Sequence, residues 1–340
     1  MIPYEALARG SLTSDIHLVD GTYELFRHFY ALPPHVTAGG EEVAATGGVL
    51  GSIAGMLESG VTHVGVATDH VIESFRNDIW PGYKTSAGVD PRLLAQFTLL
   101  EDALRAMGVV VWPMVELEAD DALAAAATSL GLISEVSRIY ICSPDKDLAQ
   151  CVRTNRIVQL DRRTGTLRDE AGVRERFGVP PPSIPDYLAL VGDSADGYPG
   201  LKGWGERSTA TVLGTYGHLE AIPRDAAAWE VRPRGADRLA TTLRENFELA
   251  ILFRGLATLR TEEPVIVSPD ELYWRGPNPA FAGTCKRLES PQLASRVAEL
   301  AAALKPSAQG PPKTSPKRRE HPRIAQNKPV PRKRTRKVGP

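Results

Sequence analysis

Residues 111–127 read VWPMVELEADDALAAAA and place three carboxylates within four positions, at Glu118, Asp120 and Asp121. An alanine-rich segment follows, and alanine is the strongest helix former, so these acids begin a predicted helix. One interpretation is that Asp120 or Asp121 caps this helix while the other acids favour its positive end. One or two acids suffice for capping, and a third adds like-charge repulsion. A bound cation would remove that repulsion, because hard cations such as Mg²⁺ take carboxylate oxygens.

Acids also lie at the ends of other predicted strands. Short apolar runs over residues 15–20, 62–69 and 138–143 are followed by or end in Asp20, Asp69, and the pair Asp145 and Asp147. Two more strands are predicted at 108–113 and 156–160, with amphipathic helices between them, which favours a parallel α/β sheet. In such sheets, sites form beyond the carboxyl ends of the strands. A single strand-end acid occurs by chance, but four on one edge predict a shared site.

The pattern becomes helical from about residue 170. Within this part, GDSADGYPGLKGWGERSTA adds Asp193 and Asp196 and then a glycine-rich hairpin that opens a helix near Glu206. Glycines let a backbone approach a ligand closely, and the amides at a helix N-terminus bind phosphate. An ordinary turn is the other interpretation of this hairpin. Lys202 and the two acids beside it favour the ligand-binding interpretation.

The acids taken together predict a metal centre. They are Asp20, Asp69, Glu118, Asp120, Asp121, Asp145, Asp147, Asp193 and Asp196. Oxygen-only ligation favours Mg²⁺ or Mn²⁺, and none of these candidate ligands is a histidine. Two such ions about 4 Å apart are a standard device for phosphodiester hydrolysis. Arg76 and Lys84 would add positive charge around the scissile phosphate, unless they are ordinary solvated cations.

Composition limits the class of protein. The 340 residues are 42% hydrophobic, with no apolar run of membrane-spanning length, no signal-peptide pattern, and three cysteines without CxxC pairing. We therefore expect a cytoplasmic protein with reduced thiols and no membrane partner. From Ser307 onward the chain holds 11 of its 40 Lys/Arg and one of its 41 acids. This Pro-rich, basic tail is predicted to be disordered and to attract nucleic acid or a protein partner, although a solubilising extension fits as well.

Several motifs, taken in order, carry a resemblance to a known family. They are LVDGTYELFRHFYALP, ATDHVIESFRNDIWPGYK, ELEADDALA, ICSPDKDLAQCV and DYLALVGDSADGYPGLKGWGERSTATVL. Over roughly residues 15 to 265 the chain resembles the 5′ nuclease domain of bacterial DNA polymerase I, in the wider flap endonuclease family. With 340 residues the chain has no room for a polymerase domain, so we expect a stand-alone member.

Four segments are expected, of which the first two are implied by the resemblance and the last two are inferred from the sequence itself. These are a PIN-like α/β nuclease domain (1–168), a helix–three-turn–helix DNA-binding domain (169–265), a helical extension packed on the body (266–306) and the disordered basic tail (307–340). The resemblance also implies roles for the acids. Asp20, Asp69, Glu118, Asp120 and Asp145 match the first metal position, and Asp147, Asp193 and Asp196 match the second, while Asp121 belongs only to the cluster.

The resemblance further implies a DNA path. Arg76 and Lys84 match an arch that guides the 5′ single strand, and the hairpin from Gly200 to Gly205 matches a segment that holds a duplex phosphate, often with K⁺. The implied DNA-contact residues are Arg27, Tyr83, Gly200, Lys202, Gly203, Gly205, Arg207 and Ser208. Residues 85–88 (TSAG) lack the arginine usual in the arch, Gly47-Gly48-Val49 stands where an aromatic is usual, Gly197-Tyr198 replaces Asn-Ile or Asn-Leu, and Arg207 replaces a lysine. All nine acids are present.

The predicted function is a metal-dependent 5′→3′ exonuclease and flap endonuclease. Its expected substrates are DNA with 5′ ends or flaps and RNA primers, and we expect a nucleoid-associated monomer in replication or repair. Two other classes of protein are alternatives. A haloacid-dehalogenase-type phosphatase needs a nucleophilic aspartate two residues before Asp20, and Leu18 stands there. A non-catalytic protein that binds DNA junctions is the more serious alternative, although degenerate relatives would be expected to lose acids.

Overall fold

The structure, a computed structural model, describes residues 14–262, 265 and 267–304. In this part of the chain the strands are β1 (Ser14–Asp20), β2 (His63–Asp69), β3 (Val110–Met114), β4 (Val136–Cys142), β5 (Ile157–Asp161) and β6 (Thr166–Arg168). The first helices are α1 (Gly21–Ala31), α2 (Ala44–Glu58), α3 (Phe75–Ile79), α4 (Pro91–Met107) and α5 (Ala119–Leu130). The later helices are α6 (Glu170–Phe177), α7 (Ile184–Val191), α8 (Glu206–Tyr216), α9 (Ala236–Glu245), α10 (Phe247–Ala257), α11 (Pro269–Leu272), α12 (Phe281–Arg287) and α13 (Pro291–Leu304).

The six strands form one sheet in the order β3-β2-β1-β4-β5-β6. Strands β1 to β5 are parallel, which confirms the predicted α/β architecture. Strand β6 is antiparallel to β5 and was not predicted. Only residues 162–165 connect the two strands, and a parallel crossover needs a dozen residues or more, so a hairpin is the one connection available.

Alternating side chains of the central strands enter two different cores. Val19, Val64 and Val66 pack on the side of α1, α2 and α4, where α12 and α13 also lie. Ile16 and Leu18 pack on the other side, against the alanines of α5. Most of the α5 residues buried in this core are alanines, and their small side chains let the helix lie close to the sheet. Because both faces are covered, β1, β2 and β5 are buried along most of their length, which is typical of parallel sheets.

A third core holds the helical part that follows β6. Leu188 of α7, Leu213 of α8, Leu239 of α9 and Phe253 of α10 are buried together there, in the segment predicted as the DNA-binding module. Residues of α12 and α13 are instead buried with α2 and α4 in the first core. The predicted domain boundaries stay predictions, and the predicted tail at 307–340 lies outside the described residues. None of the described helices combines the length and apolar character that crossing a membrane requires.

Candidate metal centre

Asp20 joins two neighbouring strands at the carboxyl edge of the sheet. It ends β1 and caps α1, because its Oδ1 accepts the Tyr23 N–H at 2.8 Å. Its Oδ2 accepts the Ser143 hydroxyl at 2.8 Å, from the residue that follows β4. Gly21 must be glycine for close packing, since a Cβ there would lie 2.8 Å from the Ala67 carbonyl oxygen. The carboxylate is thus fixed at the carboxyl ends of β1 and β4, where the strand order reverses, which is the position at which doubly wound sheets bind ligands.

Asp69 connects the end of β2 to the start of α5. Its Oδ1 accepts the Ala119 N–H at 2.6 Å, and its own N–H donates to Thr22 Oγ1 at 2.8 Å. Asp120 is the next residue of α5 and lies in its first turn. In addition to burial, the charges of Asp69 and Asp145 raise the pKa of Asp20, and the charges of Asp145, Asp20 and Asp69 raise the pKa of Asp120, so the four carboxylates share one region of the sheet edge.

A second group of acids lies beside these four. Asp147, Asp193 and Asp196 offer ligand oxygens that all lie within 4.8 Å of one another, and we call these three residues the triad. Asp147 begins a 3₁₀ turn after β4, while Asp193 and Asp196 follow the end of α7. The Oδ1 atom of Asp147 is buried and has no hydrogen-bond partner within the part of the chain that the structure describes. A buried carboxylate oxygen without a partner is costly, so this atom fits a cation ligand.

The donor set of the site fits divalent cations. Asp20, Asp69, Asp147 and Asp193 are each less than 8% exposed, and their ligand atoms are hard oxygens of the kind that Mg²⁺, Mn²⁺ and Ca²⁺ bind. A dense group of buried carboxylates tolerates its own repulsion only when protons or cations neutralise it. The fold and the site therefore define a class: an α/β protein whose sheet edge is built to bind divalent metal ions.

The carboxyl pKa values reflect this crowding. Burial, together with the neighbouring Asp69 and Asp145, raises the pKa of Asp20 to about 7. Burial also raises the pKa of Asp69 to about 6, against the opposing charge of Lys84. Burial raises the pKa of Asp196 to about 6. Repulsion from Asp193 and Asp145 adds to this rise, and the positive charge of Lys84 opposes it. Without metal, these groups hold protons at a pH where ordinary aspartates are ionised.

These shifts predict that the metal-free protein loses stability as pH rises. An acid with a higher pKa in the folded state binds protons more tightly when folded. Its contribution is therefore complete below the unfolded value of 3.8 and is lost as pH rises through about 6 to 7. We expect Tm measured in EDTA to fall by at least about 5 °C between pH 5.5 and pH 8, and saturating Mg²⁺ to remove that slope.

The matched control for this prediction is Asp20→Asn, which keeps the shape of the side chain but does not titrate. Its Tm in EDTA should fall less steeply over the same pH range. A wild-type Tm that is flat or rises toward pH 8 in EDTA would contradict the assignment of these carboxyls to a crowded, buried cluster.

The carboxylate of Glu118 is fixed by two hydroxyl donors and one lysine. It accepts the Ser74 hydroxyl at 2.6 Å and the Tyr83 hydroxyl at 3.2 Å, and Lys84 Nζ lies 2.8 Å from its Oε2. Burial acts to raise the pKa of Glu118, but the charges of Lys84 and Arg76 outweigh it and the pKa is lowered. Tyr83, predicted to contact DNA, is only 4% exposed, so its ring is part of the packing instead.

Asp121 and Arg76 form a buried pair, which corrects two expectations. Two nitrogens of the Arg76 guanidinium donate to the Asp121 carboxylate at 2.8 Å each. The same carboxylate accepts the N–H groups of Glu118 and Arg260. The third nitrogen of the guanidinium, Arg76 Nε, donates to the Leu256 carbonyl oxygen at 2.8 Å. Arg76 is 1% exposed, so it supports the site from behind and does not face the scissile phosphate, and Asp121 does not face the acid cluster.

Lys84, in contrast, lies at the site. Its Nζ bridges Glu118 and Asp196, at 2.8 Å and 3.1 Å, and its side chain is 27% exposed. The nearby acids raise its pKa further above the usual value, against the opposing effect of burial. The ammonium is therefore a fixed positive charge between the two groups of acids, and Lys84 remains the candidate for contact with a phosphate.

The remaining predicted DNA contacts fall on two surfaces. Arg27 lies on α1, pairs with the buried Glu24 and is 28% exposed. Gly205 caps α8 and donates its N–H to Ser208 Oγ at 3.1 Å, while Lys202, Gly203 and Arg207 are exposed. Gly200 has a different reason to be glycine, because a Cβ there would lie 2.5 Å from the Leu190 carbonyl oxygen. The contact roles of Arg27 and of the hairpin stay predictions.

Sequence reasoning missed two polar contributors. Ser143 fixes Asp20, and Lys146 forms an ion pair with Asp193, its Nζ 2.7 Å from Oδ2. Both residues stand in the segment CSPDKDL, directly beside predicted metal ligands. The position of Lys146 between two predicted ligand aspartates is the signal that could have identified it, because nearby carboxylates attract an ammonium group.

Comparison with known proteins identifies the family of the chain. A family described as the 5′-3′ exonuclease, N-terminal resolvase-like domain, matches residues 15–178. The 5′-3′ exonuclease, C-terminal SAM fold, matches residues 179–280. DNA polymerase I of Pseudomonas aeruginosa is 35% identical over 260 residues, which are 75% of this chain but 28% of that protein. The 5′-3′ exonuclease of Aquifex aeolicus is 31% identical over 269 residues, 77% of this chain and 88% of that protein.

Solved structures share the fold. Zinc-bound T5 5′-exonuclease aligns with a TM-score of 0.58 at 15% identity, over 85% of this chain and 98% of that one. The catalytic core of Rad2 in complex with DNA substrate also aligns with a TM-score of 0.58 at 15% identity, over 88% and 95% of the two chains. The chain belongs to the 5′-3′ exonuclease family, which confirms the resemblance inferred from its motifs.

Proposed function

We propose that this protein is a divalent-metal-dependent 5′→3′ exonuclease and flap endonuclease that hydrolyses phosphodiester bonds in DNA. The observation that carries the proposal is the triad, whose ligand oxygens lie within 4.8 Å of one another beside the four strand-end acids. Family membership supports it, since the Aquifex aeolicus relative is named a 5′-3′ exonuclease and a Rad2 core with the same fold was solved with DNA substrate.

The proposed roles follow from the contacts of each residue. Asp20, Asp69, Asp120 and Asp145 would hold one ion, and the triad a second. Bound divalent cations supply an activated water and neutralise charge on the scissile phosphate. Glu118 fixes Lys84 at the site, and the Lys84 ammonium is the partly exposed cation that would bind the phosphate as its charge develops. Arg76 holds the start of α5, and with it Asp120, in place through Asp121.

Mg²⁺ and Mn²⁺ are the proposed ions, because all the donors are carboxylate oxygens. The hairpin and the N-terminal amides of α8 are the proposed grip on duplex DNA, with Lys202 and Arg207 exposed beside them. A K⁺ ion at this hairpin and activity on RNA primers rest on the resemblance alone. We further propose a monomer that acts on DNA in the cytoplasm, at the nucleoid, with replication or repair proteins as partners.

A cleavage assay tests the proposal. A labelled DNA duplex with a 5′ single-stranded flap should be cut near the junction in the presence of Mg²⁺, and EDTA should stop cleavage. A recessed 5′ end should be shortened stepwise under the same conditions. Tight, Mg²⁺-independent binding of the flap without any cleavage would contradict the proposal and would instead favour a protein that only recognises DNA junctions.

The basic tail is proposed to bind DNA phosphates. Deletion of residues 307–340 removes 11 Lys/Arg and one acid. Each phosphate contact contributes about 0.9 to the slope of log affinity against log salt, so the deletion should flatten this slope by several units. The measurement is a salt titration of flap-DNA binding, with single-turnover cleavage followed in parallel and expected to be unchanged. A salt slope that stays the same would mean that the tail contacts no phosphate.

A further inference from the structure

Lys146 carries a charge that the proposed reaction does not use. It stands between Asp145 and Asp147 in the loop after β4, and its side chain is 37% exposed. Its Nζ lies 2.7 Å from Oδ2 of Asp193, a member of the triad. The side chain therefore reaches from the loop that carries one triad aspartate to the turn that carries another.

The carboxylate oxygens of Asp193 and Asp196 contact two lysine ammonium groups and one backbone N–H. Asp193 Oδ1 accepts the Ala195 N–H at 3.0 Å, while its Oδ2 takes Lys146. Asp196 Oδ1 lies 3.1 Å from Lys84 Nζ. The buried Asp147 Oδ1 has no hydrogen-bond partner among residues 14–262, 265 and 267–304. Two ammonium groups thus supply to the triad the same charge that one divalent cation would bring.

The two lysines differ in how firmly they are held. Lys84 has a second carboxylate partner, Glu118, and keeps it if Asp196 turns to a cation. Lys146 is more exposed than Lys84, at 37% against 27%, and Asp193 is its one ion-pair partner in the described part of the chain. The Ala195 N–H belongs to the turn itself and cannot leave Oδ1 without changing the backbone. The oxygen most easily released is therefore the one that Lys146 holds.

We propose that Lys146 is the resident counter-ion of the triad, and that a divalent cation must displace its ammonium from Asp193 in order to bind there. Lys146 stabilises the triad before metal arrives and competes with the metal afterwards. It thereby sets the concentration at which the second ion of the proposed nuclease binds, and this inference rests on the proposed function for the identity of that ion. A long, flexible and partly solvated side chain suits such an exchange, because its charge is rehydrated when it leaves.

The test is the binding of Mn²⁺ to the full chain, measured from the free-ion signal by electron paramagnetic resonance. Lys146→Met removes the competing charge, and the weaker Mn²⁺ site should bind about tenfold more tightly, as expected for losing a partly exposed ion pair and the repulsion of a nearby ammonium. Lys146→Arg keeps the charge and should bind no more tightly than wild type. Lys286→Met, an exposed lysine of α12, is the matched control and should not change the affinity.

An unchanged or weaker Mn²⁺ affinity in Lys146→Met would overturn the inference, as would an equal gain in Lys146→Arg. A second measurement covers the case in which the variant folds poorly. In EDTA, Lys146→Met should melt at a lower temperature than wild type because Asp193 has lost its counter-ion, and saturating Mn²⁺ should remove the difference. A metal-free Tm equal to or above that of wild type would contradict the role.

The outcome is independent of whether the protein cuts DNA. Wild-type protein that binds two Mn²⁺ ions, shows the tightening in Lys146→Met and yet leaves flap DNA intact would overturn the proposed function alone. Wild-type protein that cleaves flap DNA, without any tightening in the variant, would overturn the role of Lys146 alone.

Discussion

Asp145→Asn is expected to lower the single-turnover rate of flap cleavage by at least about a thousandfold while leaving DNA binding nearly unchanged. A loss of about 4 kcal/mol of transition-state stabilisation corresponds to that factor, and metal-assisted charge stabilisation is worth several kcal/mol. The fold should survive, because Asp145 Oδ1 accepts the Asp147 N–H at 2.9 Å and an asparagine oxygen can accept the same bond. The measurement is cleavage under excess enzyme, with flap affinity determined in Ca²⁺.

The matched control is Asp161→Asn. Asp161 also ends a strand, β5, and is as buried as Asp20, both being 6% exposed. Its Oδ1 accepts the backbone N–H groups of Arg163 and Thr164 in the turn before β6, so it lies outside the acid cluster. Cleavage by this variant should stay within a few-fold of wild type. Full turnover in Asp145→Asn would remove Asp145 from the metal centre.

Arg76→Met should destabilise the protein by about 3 to 5 kcal/mol, because it leaves the buried Asp121 carboxylate without its charged partner. Asp121 and Arg76 are each 1% exposed, so water cannot replace the lost guanidinium. Cleavage should fall mainly in proportion to the unfolded fraction and should recover at lower temperature. Urea unfolding followed by circular dichroism gives the free energy of unfolding for both proteins.

Arg105→Met provides the comparison for this variant. The Arg105–Asp102 pair lies on the surface of α4, with side chains that are 44% and 64% exposed, and its loss should change stability by less than about 0.5 kcal/mol. An Arg76→Met variant as stable as wild type would contradict the assignment of Arg76 to a buried pair that supports the fold.

The sequence was sufficient to predict the parallel sheet and its acidic edge. β1 and β2 each contain a short apolar run and end in an aspartate, and both features can be read directly from the sequence. Parallel strands bring their carboxyl ends to one edge, so Asp20, Asp69 and the acids after β4 were expected at the same edge of the sheet. Asp161 also ends an apolar strand in the sequence, so the same pattern would place it at the site. In the structure its carboxylate instead accepts N–H groups of the turn that leads to β6, away from the acid cluster.

Side-chain direction was the part that the sequence did not predict. Consecutive helical residues point about 100° apart, so Asp120 and Asp121 cannot both face one site. The side chain of Asp121 points toward Arg76 of α3, and the same guanidinium donates to the Leu256 carbonyl oxygen of α10. These contacts depend on how α3, α5 and α10 pack, which the sequence pattern does not show. Lys84 and Lys146 likewise contact acids that are distant in sequence, Asp196 and Asp193. Such pairs depend on how the helical part meets the sheet, and no local pattern encodes that.

The most direct test of the whole account is a crystal soaked in Mn²⁺ and measured for anomalous scattering. We predict one peak in contact with Asp147, Asp193 and Asp196, and another near Asp20, Asp120 and Asp145, with the Lys146 ammonium moved away from Asp193. A map with no peak at this edge of the sheet, or with Mn²⁺ bound only elsewhere on the protein, would contradict the claim that these separated acids form a metal centre.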